Sequence, residues 1–263
     1  MRAIFSLGAL LLFAGGARAE APRDFCPDRP GLGTPACTID QGHVAVELGL
    51  VDWTLDRQPG AREDDVAAGD LLVRYGLTDS LEMQIGWTAY THVRARSGTV
   101  VDRAGGTGDL FVALRRNLRN PDGSGFAVAV MPYATLPVGS EGIGAGDWGA
   151  GVLVPMSYEL PHGFALGLTA EADAAVDEDG HGRHLAYSAI LGLDLPISDA
   201  VGATVELSAG RDEDPSGHAT QLLAGLSAGW TPNRDLQLDV GANLGLNRDA
   251  PDVELYFGVA RRF

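Results

Sequence analysis

The chain has 263 residues, enough for one large β domain or two small ones, and its 36 glycines and 14 prolines disfavour long helices. Its formal net charge is -16, and all 19 basic residues are arginine. That acidity excludes nucleic acid as a partner, because such binding rests on basic patches that neutralise phosphates.

The first predicted element is a leader. Arg2 precedes an apolar stretch from Ala3 to Ala14, and small residues with Ala17-Arg18-Ala19 follow. A positive start, a short apolar core and a small-residue cleavage site make residues 1–19 a signal peptide, cut after Ala19. The apolar run falls short of the ~20 residues of a spanning helix, which argues against a retained anchor. The mature chain is therefore expected to be exported. No long uninterrupted apolar run follows Glu20, so any membrane span must be made of strands.

Residues 20–41 are rich in Pro and Gly and hold both cysteines, Cys26 and Cys37. An oxidising periplasm favours their union, so a disulfide is expected. In the chain-entropy model a loop this short gains on the order of 3 kcal/mol from closure. Two isolated thiols lack the four ligands of a structural zinc site, which disfavours a metal role. The segment is expected either to hang in the periplasm or to enter the fold as a plug.

From Gly42 onward the pattern has period two. Alternation is irregular over residues 42–55 and 66–77, and regular where Leu81, Met83, Ile85 and Trp87 alternate with Glu82, Gln84, Gly86 and Thr88. Segments at 107–119, 125–136 and 146–160 follow. Phe164, Leu166, Leu168, Ala170 and Ala172 then alternate with Ala165, Gly167, Thr169, Glu171 and Asp173. After 183–197, Val201, Ala203, Val205 and Leu207 alternate with Gly202, Thr204, Glu206 and Ser208, and 218–230 follows. Leu236 to Gly245 and Val253 to Phe263 complete about twelve segments. Each approaches the ~9 to 11 residues that a tilted strand needs to cross the hydrocarbon layer, with one face suited to lipid and the other to water. The fold expected for residues 42–263 is an all-β, antiparallel, up-and-down transmembrane β-barrel.

The connections agree with that reading. Short turns at 78–79, 120–124, 161–163, 198–199 and 232–234 carry Gly, Pro, Asn, Asp or Ser, as turn geometry demands. Longer links are expected at 56–65, 92–106, 139–145, 176–182 and 211–217. Outer-membrane barrels have such short periplasmic turns and long external loops, and an even strand number puts both termini on the periplasmic side. A soluble β-sandwich would show shorter strands and one shared inward face. The last strand ends on the aromatic Phe263, which is expected at the periplasmic girdle, pairing with the strand that begins near Gly42. The ending is similar to the carboxy-terminal signal by which bacterial outer-membrane proteins are recognised for insertion, so the barrel-assembly machinery is an expected partner. Arg261 departs from that signal's usual apolar or aromatic residue.

Assigning the polar faces to the interior makes Glu47, Asp70, Arg74, Glu82, Asp109 and Arg115 lumen or selectivity candidates. Asp147, Glu171, Asp173, Glu206, Asp239 and Glu254 join them, and Glu159, Asp194 and Arg262 fall on the same faces. Buried charges must pair or stay wet. The density therefore implies a hydrated channel, an ion-paired plug, or both, and an excess of carboxylates would favour cations. Glycines on these faces, among them Gly202, Gly225, Gly241 and Gly258, suggest open volume. About twelve strands lie between the ~8 that side chains fill and the ~16 that leave an open channel.

Phe25-Cys26-Pro27-Asp28-Arg29-Pro30-Gly31-Leu32-Gly33-Thr34-Pro35-Ala36-Cys37, the following Val46-Glu47, Gly106-Thr107-Gly108-Asp109 and Gly146-Asp147 carry a resemblance. Together they resemble the outer-membrane transporter-like proteins grouped under the MetA pathway of phenol degradation, over essentially the whole mature chain. The resemblance implies a barrel in the bacterial outer membrane linked to uptake of small, often aromatic, compounds. It transfers neither a catalytic residue nor a binding site.

No cofactor, metal site or enzymatic activity is expected. The loop Asp177 to His184 holds carboxylates and two histidines, which could catch a divalent ion, but it reads more simply as solvated and lacks the ligand sequence of a calcium-binding helix-loop-helix. His184 and Ser188 lie four apart on one strand, ~13 Å at strand rise, too far to act as a base and nucleophile pair. Outer-membrane lipid and lipopolysaccharide are the remaining partners, the latter through Arg94, Arg96 and Arg103. The function expected is a channel or transporter-like barrel for small molecules. The rival is a structural or adhesive barrel with a plugged lumen.

Overall fold

The computed structural model describes residues 22–263, so the leader expected over residues 1–19 lies outside the described residues. The strands are β1 (Val44–Gln58), β2 (Ala61–Thr78), β3 (Leu81–Ser97), β4 (Val100–Gly106), β5 (Leu110–Arg119), β6 (Phe126–Leu136) and β7 (Gly149–Glu159). They continue with β8 (Ala165–Val176), β9 (Arg183–Ser198), β10 (Val201–Asp212), β11 (Ala219–Asn233), β12 (Leu236–Gly245) and β13 (Val253–Arg262). Every pairing is antiparallel, and each joins neighbours in sequence except that β3 pairs with β5 and that β1 closes the ring against β13 in the register Ala45 to Arg262. β5 pairs with β3 over Leu81 to Trp87, and β4 pairs with the same strand over Thr91 to Ser97. These two strands therefore share one position, and the closed barrel has twelve.

Alternation decides which way the sheet faces. Met83, Ile85 and Trp87 of β3 are exposed, whereas Glu82 and Gln84 between them are buried. Val240 and Phe257 are exposed beside buried Asp239 and Tyr256. Such a continuous apolar exterior would be a liability in water. Around a barrel it is the lipid-facing band, flanked by aromatic girdles at both interfaces. Tyr75, Phe126, Tyr158, Trp230 and Phe263, all exposed and all near the terminal end, form one girdle, and Tyr90, Trp148 and Tyr187 mark the other. The barrel belongs in the bacterial outer membrane.

The end that carries both termini has short turns and is periplasmic. Residues 56–65 and 92–106, expected as loops, are instead strand. β1 and β2 turn at Pro59-Gly60, and β3 and β4 turn at Gly98-Thr99, each turn using a glycine at positive φ (83° and 58°). Sequence alternation fails there because a hairpin that projects beyond the membrane meets water on both faces. The two tips are joined, since the Gly98 N–H donates to the Gly60 carbonyl at 2.9 Å.

Candidate functional site

The residues after Pro22 enter the barrel before β1 begins. Their hydrogen-bond partners lie on β1, β2, β3, β5, β8, β10, β12 and β13. Only a segment inside the ring can touch so many walls. Most of these partners, Glu47, Arg74, Glu82, Asn117 and Gln237 among them, lie towards the periplasmic ends of their strands, and Thr169, Glu206 and Tyr256 lie nearer mid-barrel, so the segment fills the lumen from the periplasmic end to about its middle. The Cys26–Cys37 disulfide closes it into a loop.

A charged cluster on β1, β2, β3 and β5 seats the loop. Glu47, Arg74, Glu82 and Arg115 are each 0 % exposed. Arg74 donates from Nε to Glu82 at 3.0 Å, from Nη1 to Glu47 at 3.0 Å, and from Nη1 to the Cys26 carbonyl at 2.8 Å. Arg115 grips Asp28 with both terminal nitrogens, at 2.8 and 2.6 Å. The carboxylates also receive the loop's backbone: Glu47 accepts the N–H groups of Asp28 and Arg29, each at 2.9 Å, and Glu82 accepts that of Ile39 at 2.7 Å. Unpaired charges in such a place would be costly, and a bidentate guanidinium–carboxylate pair adds direction to the attraction.

Across the lumen the contacts are sparser. Glu206 on β10 accepts the N–H groups of Leu32 and Gly33 at 2.7 and 2.8 Å, and Thr169 on β8 exchanges two hydrogen bonds with the Thr34 backbone. Arg29 pairs with Asp239 at 3.0 Å, and the Tyr256 hydroxyl accepts the Gly31 N–H at 3.0 Å. Ala36 packs on Ala127 and Ala129 of β6. The inner-face glycines, expected to leave open volume, mostly serve this packing instead. A Cβ on Gly258 would collide with Arg29, one on Gly241 with Tyr256, and one on Gly225 would come within 2.8 Å of Asn243 and 3.4 Å of Leu32. A Cβ on Gly202 would be less confined, meeting only the Leu195 carbonyl oxygen at 3.9 Å.

Between the loop and the wall made by β7 to β10 lies a cavity of about 410 Å³. Small wall residues, Ser157, Gly167 and Gly192, keep it open. Asp24, Asp28, Asp122, Asp194 and Glu206 face it, against a single arginine, Arg29, which Asp239 already neutralises. A second cavity of about 250 Å³ lies towards the external end and includes Glu171, Asp173 and Ser188 in its wall. Tyr133 donates to Glu171 at 2.6 Å, and its ring meets that of Phe111 at 5.4 Å. Ser188 also donates to Glu171, while His184 is held elsewhere, so the two form no catalytic pair.

The structure divides the predicted lumen residues into three groups. Glu47, Arg74, Glu82, Arg115, Glu206 and Asp239 hold the inserted loop. Asp70, Glu171, Asp173, Asp194 and Glu254 face the remaining interior, Asp70 accepting from Thr88 and Glu254 from Asn243. Asp147 is not a lumen group, and Asp109, which borders a small cavity with Asp70, Thr88 and Phe111, is engaged by the external loop. Asp147 lies in the external loop after β6, where it pairs with Arg183 at 2.9 Å and the Trp148 N–H holds its carboxyl below the usual range. Asp109 sits in the break between β4 and β5 and accepts the N–H groups of Gly139 and Ala145 from the same loop, each at 2.8 Å. Period-two assignment fails for Asp147 because it lies outside any strand. Glu159 and Arg262 are at the periplasmic rim, bonded to Gly125 and Asp235. Sequence reasoning missed Asp28, Thr169 and Tyr256, whose partners are remote in the chain.

A family model described as "Putative MetA-pathway of phenol degradation" matches residues 27–263. Among curated proteins, none matches. Of solved structures, an outer-membrane channel from Pseudomonas putida F1 superposes with a TM-score of 0.71 at 17% identity, covering 89% of this chain and 99% of that one. The translocator domain of the autotransporter NalP from Neisseria meningitidis gives a TM-score of 0.51 at 14% identity, over 85% and 89% of the two chains. At such identities the likeness is one of fold.

Proposed function

From the premise that this chain belongs to the MetA-pathway family of phenol degradation, we propose that it is an outer-membrane channel for small solutes, narrowed at its periplasmic half by its own amino-terminal loop. The observation that carries this reading is the cavity of about 410 Å³ left between the loop and the β7 to β10 wall. The loop is bolted by charge to β1, β2, β3 and β5 and, through Arg29, to Asp239 of β12, but towards β7 to β10 it is held by Thr169 and Glu206. Small solutes can pass along that side, and larger ones once the loop shifts. The acidic lining favours cations and neutral molecules over anions. In the external half, the Phe111 and Tyr133 rings offer a face for an aromatic solute beside the carboxylates of Glu171 and Asp173.

The test is flux through the purified mature chain in lipid vesicles and planar bilayers. Passage of small aromatic amines and neutral phenols is expected. A Cβ on Gly167 would meet nothing within 4 Å, so Gly167→Trp should fill the cavity without displacing the loop and should cut flux several-fold. Equal flux in the two proteins would refute the passage. An absence of flux both in the wild type and after removal of residues 22–41 would leave a structural or adhesive barrel as the function.

A further inference from the structure

We propose that Asp177, His184 and Asp214 form a binding site for one divalent transition-metal ion, with Asp212 at its rim, which ties the β8–β9 loop to the β10–β11 loop on the external face. The site stands apart from the passage and does not depend on it.

The geometry of one imidazole points to it. The His184 side chain is 6% exposed, and both its nitrogens face carboxylates. Nδ1 lies 2.9 Å from Asp177 Oδ1 and 3.4 Å from Asp214 Oδ2, and Nε2 lies 2.9 Å from Asp212 Oδ1. A neutral imidazole has one N–H and one acceptor nitrogen, so it cannot satisfy carboxylates at both ends. Buried Nε2 makes no hydrogen bond despite its closeness to Asp212. At Nδ1, a single proton can point at Asp177 or at Asp214 but not at both. A cation shared by Nδ1, Asp177 and Asp214 removes that conflict.

The spacing suits such an ion. Ligands ~2.1 Å from a metal lie ~3.0 Å apart at a right angle and ~3.4 Å apart at the tetrahedral angle. The two separations from Nδ1 match these values, and the three ligand atoms all lie within 4.8 Å of one another. Imidazole with carboxylates and no thiolate fits a first-row ion such as Zn²⁺ or Mn²⁺ better than Ca²⁺, which prefers an all-oxygen shell. The ligands are also held in place. Asp214 accepts the N–H groups of Glu178 and Ser216 at 2.7 and 2.6 Å, and a Cβ on Gly182, which has φ +90°, would collide with the Asp177 carboxylate. Fixed outer contacts of this kind orient metal ligands.

Zinc alone is the probe. Mature full-length protein in detergent, stripped with chelator and dialysed against Zn²⁺ in excess Mg²⁺, is expected to retain one Zn²⁺ per chain. Glu141→Gln, in the β6–β7 loop, should bind as the wild type does. His184→Ala and Asp177→Asn should bind at least about ten-fold more weakly, with heat-modifiable gel mobility confirming that each barrel is folded. X-ray absorption of the zinc-loaded wild type gives a readout independent of the variants: one imidazole nitrogen among oxygens at ~2.0–2.2 Å. No zinc retained, equal binding by wild type and folded His184→Ala, or a shell of oxygen alone would each overturn the proposal and leave His184 as an imidazolium among carboxylates.

Discussion

Asp28 is the residue on which the seated loop turns, yet Arg115 is the more costly one to remove. Around them two arginines, Arg74 and Arg115, face three carboxylates, Asp28, Glu47 and Glu82. Asp28→Ala leaves two charges of each sign and a balanced cluster. Arg115→Ala leaves three carboxylates around Arg74 alone. Breaking a buried pair from one side costs about 3–5 kcal/mol, and Arg115→Ala should unseat the loop by that amount, with Asp28→Ala falling below it. Amide hydrogen exchange over residues 26–37 measures both, and the reverse order would contradict this account of the cluster. The wall residues of this cluster were legible in the sequence as inward charges on alternating strands. Their partner was not, because Asp28 lies in a segment with no periodicity, and its contacts with Arg74 and Arg115 span 46 and 87 positions along the chain (74 − 28 and 115 − 28).

At the scale of elements, the break between β4 and β5 shows what alternation cannot convey. Thr107 and Ser140 exchange hydrogen bonds there, the Thr107 N–H reaching the Ser140 hydroxyl at 3.0 Å and the Ser140 N–H the Thr107 carbonyl at 2.9 Å. Gly106 lacks a side chain because Ser140 occupies the place of its Cβ. Gly106-Thr107-Gly108-Asp109 is thus a dock for the external loop of residues 137–148, with Asp109 taking two of its amides. Asp109→Ala strands those two donors, and lost partners of this kind cost ~1–3 kcal/mol each unless water replaces them. The expected result is rapid proteolysis within residues 137–148 at an unchanged barrel melting temperature. A loop as resistant as that of the wild type would remove the docking role. The strand set itself was legible almost end to end, since lipid on one side and water or loop on the other impose period two. The projecting hairpins were not, for outside the membrane that contrast vanishes. Phe263 pairs with Val44 in both directions, at 2.7 and 3.2 Å, and completes the ring. We propose that its exposed aromatic ring also serves recognition by the assembly machinery.

For the whole molecule, charge predicts selectivity. Asp194 and Glu206 face the cavity from one wall, and Glu206 alone of the two also bonds the loop. Replacing both with their amides should lower the cation-to-anion permeability ratio, seen as a reversal potential shifted towards zero in a salt gradient. Asp194→Asn alone should shift it without changing hydrogen exchange of the loop, which separates selectivity from seating. An unchanged potential in the double variant would place the selective step elsewhere. The sequence by itself determined the barrel, its twelve strand positions, the closure of β1 on β13 and the acidic interior, because the membrane enforces a two-residue code on every strand. Only the tertiary structure decided that the cysteine-closed loop lies within the ring, that six of the inward charges hold it, and that the glycines opposite make room for it. Those outcomes depend on side chains meeting across the lumen, and a pattern that repeats along each strand carries no information about what stands across from it.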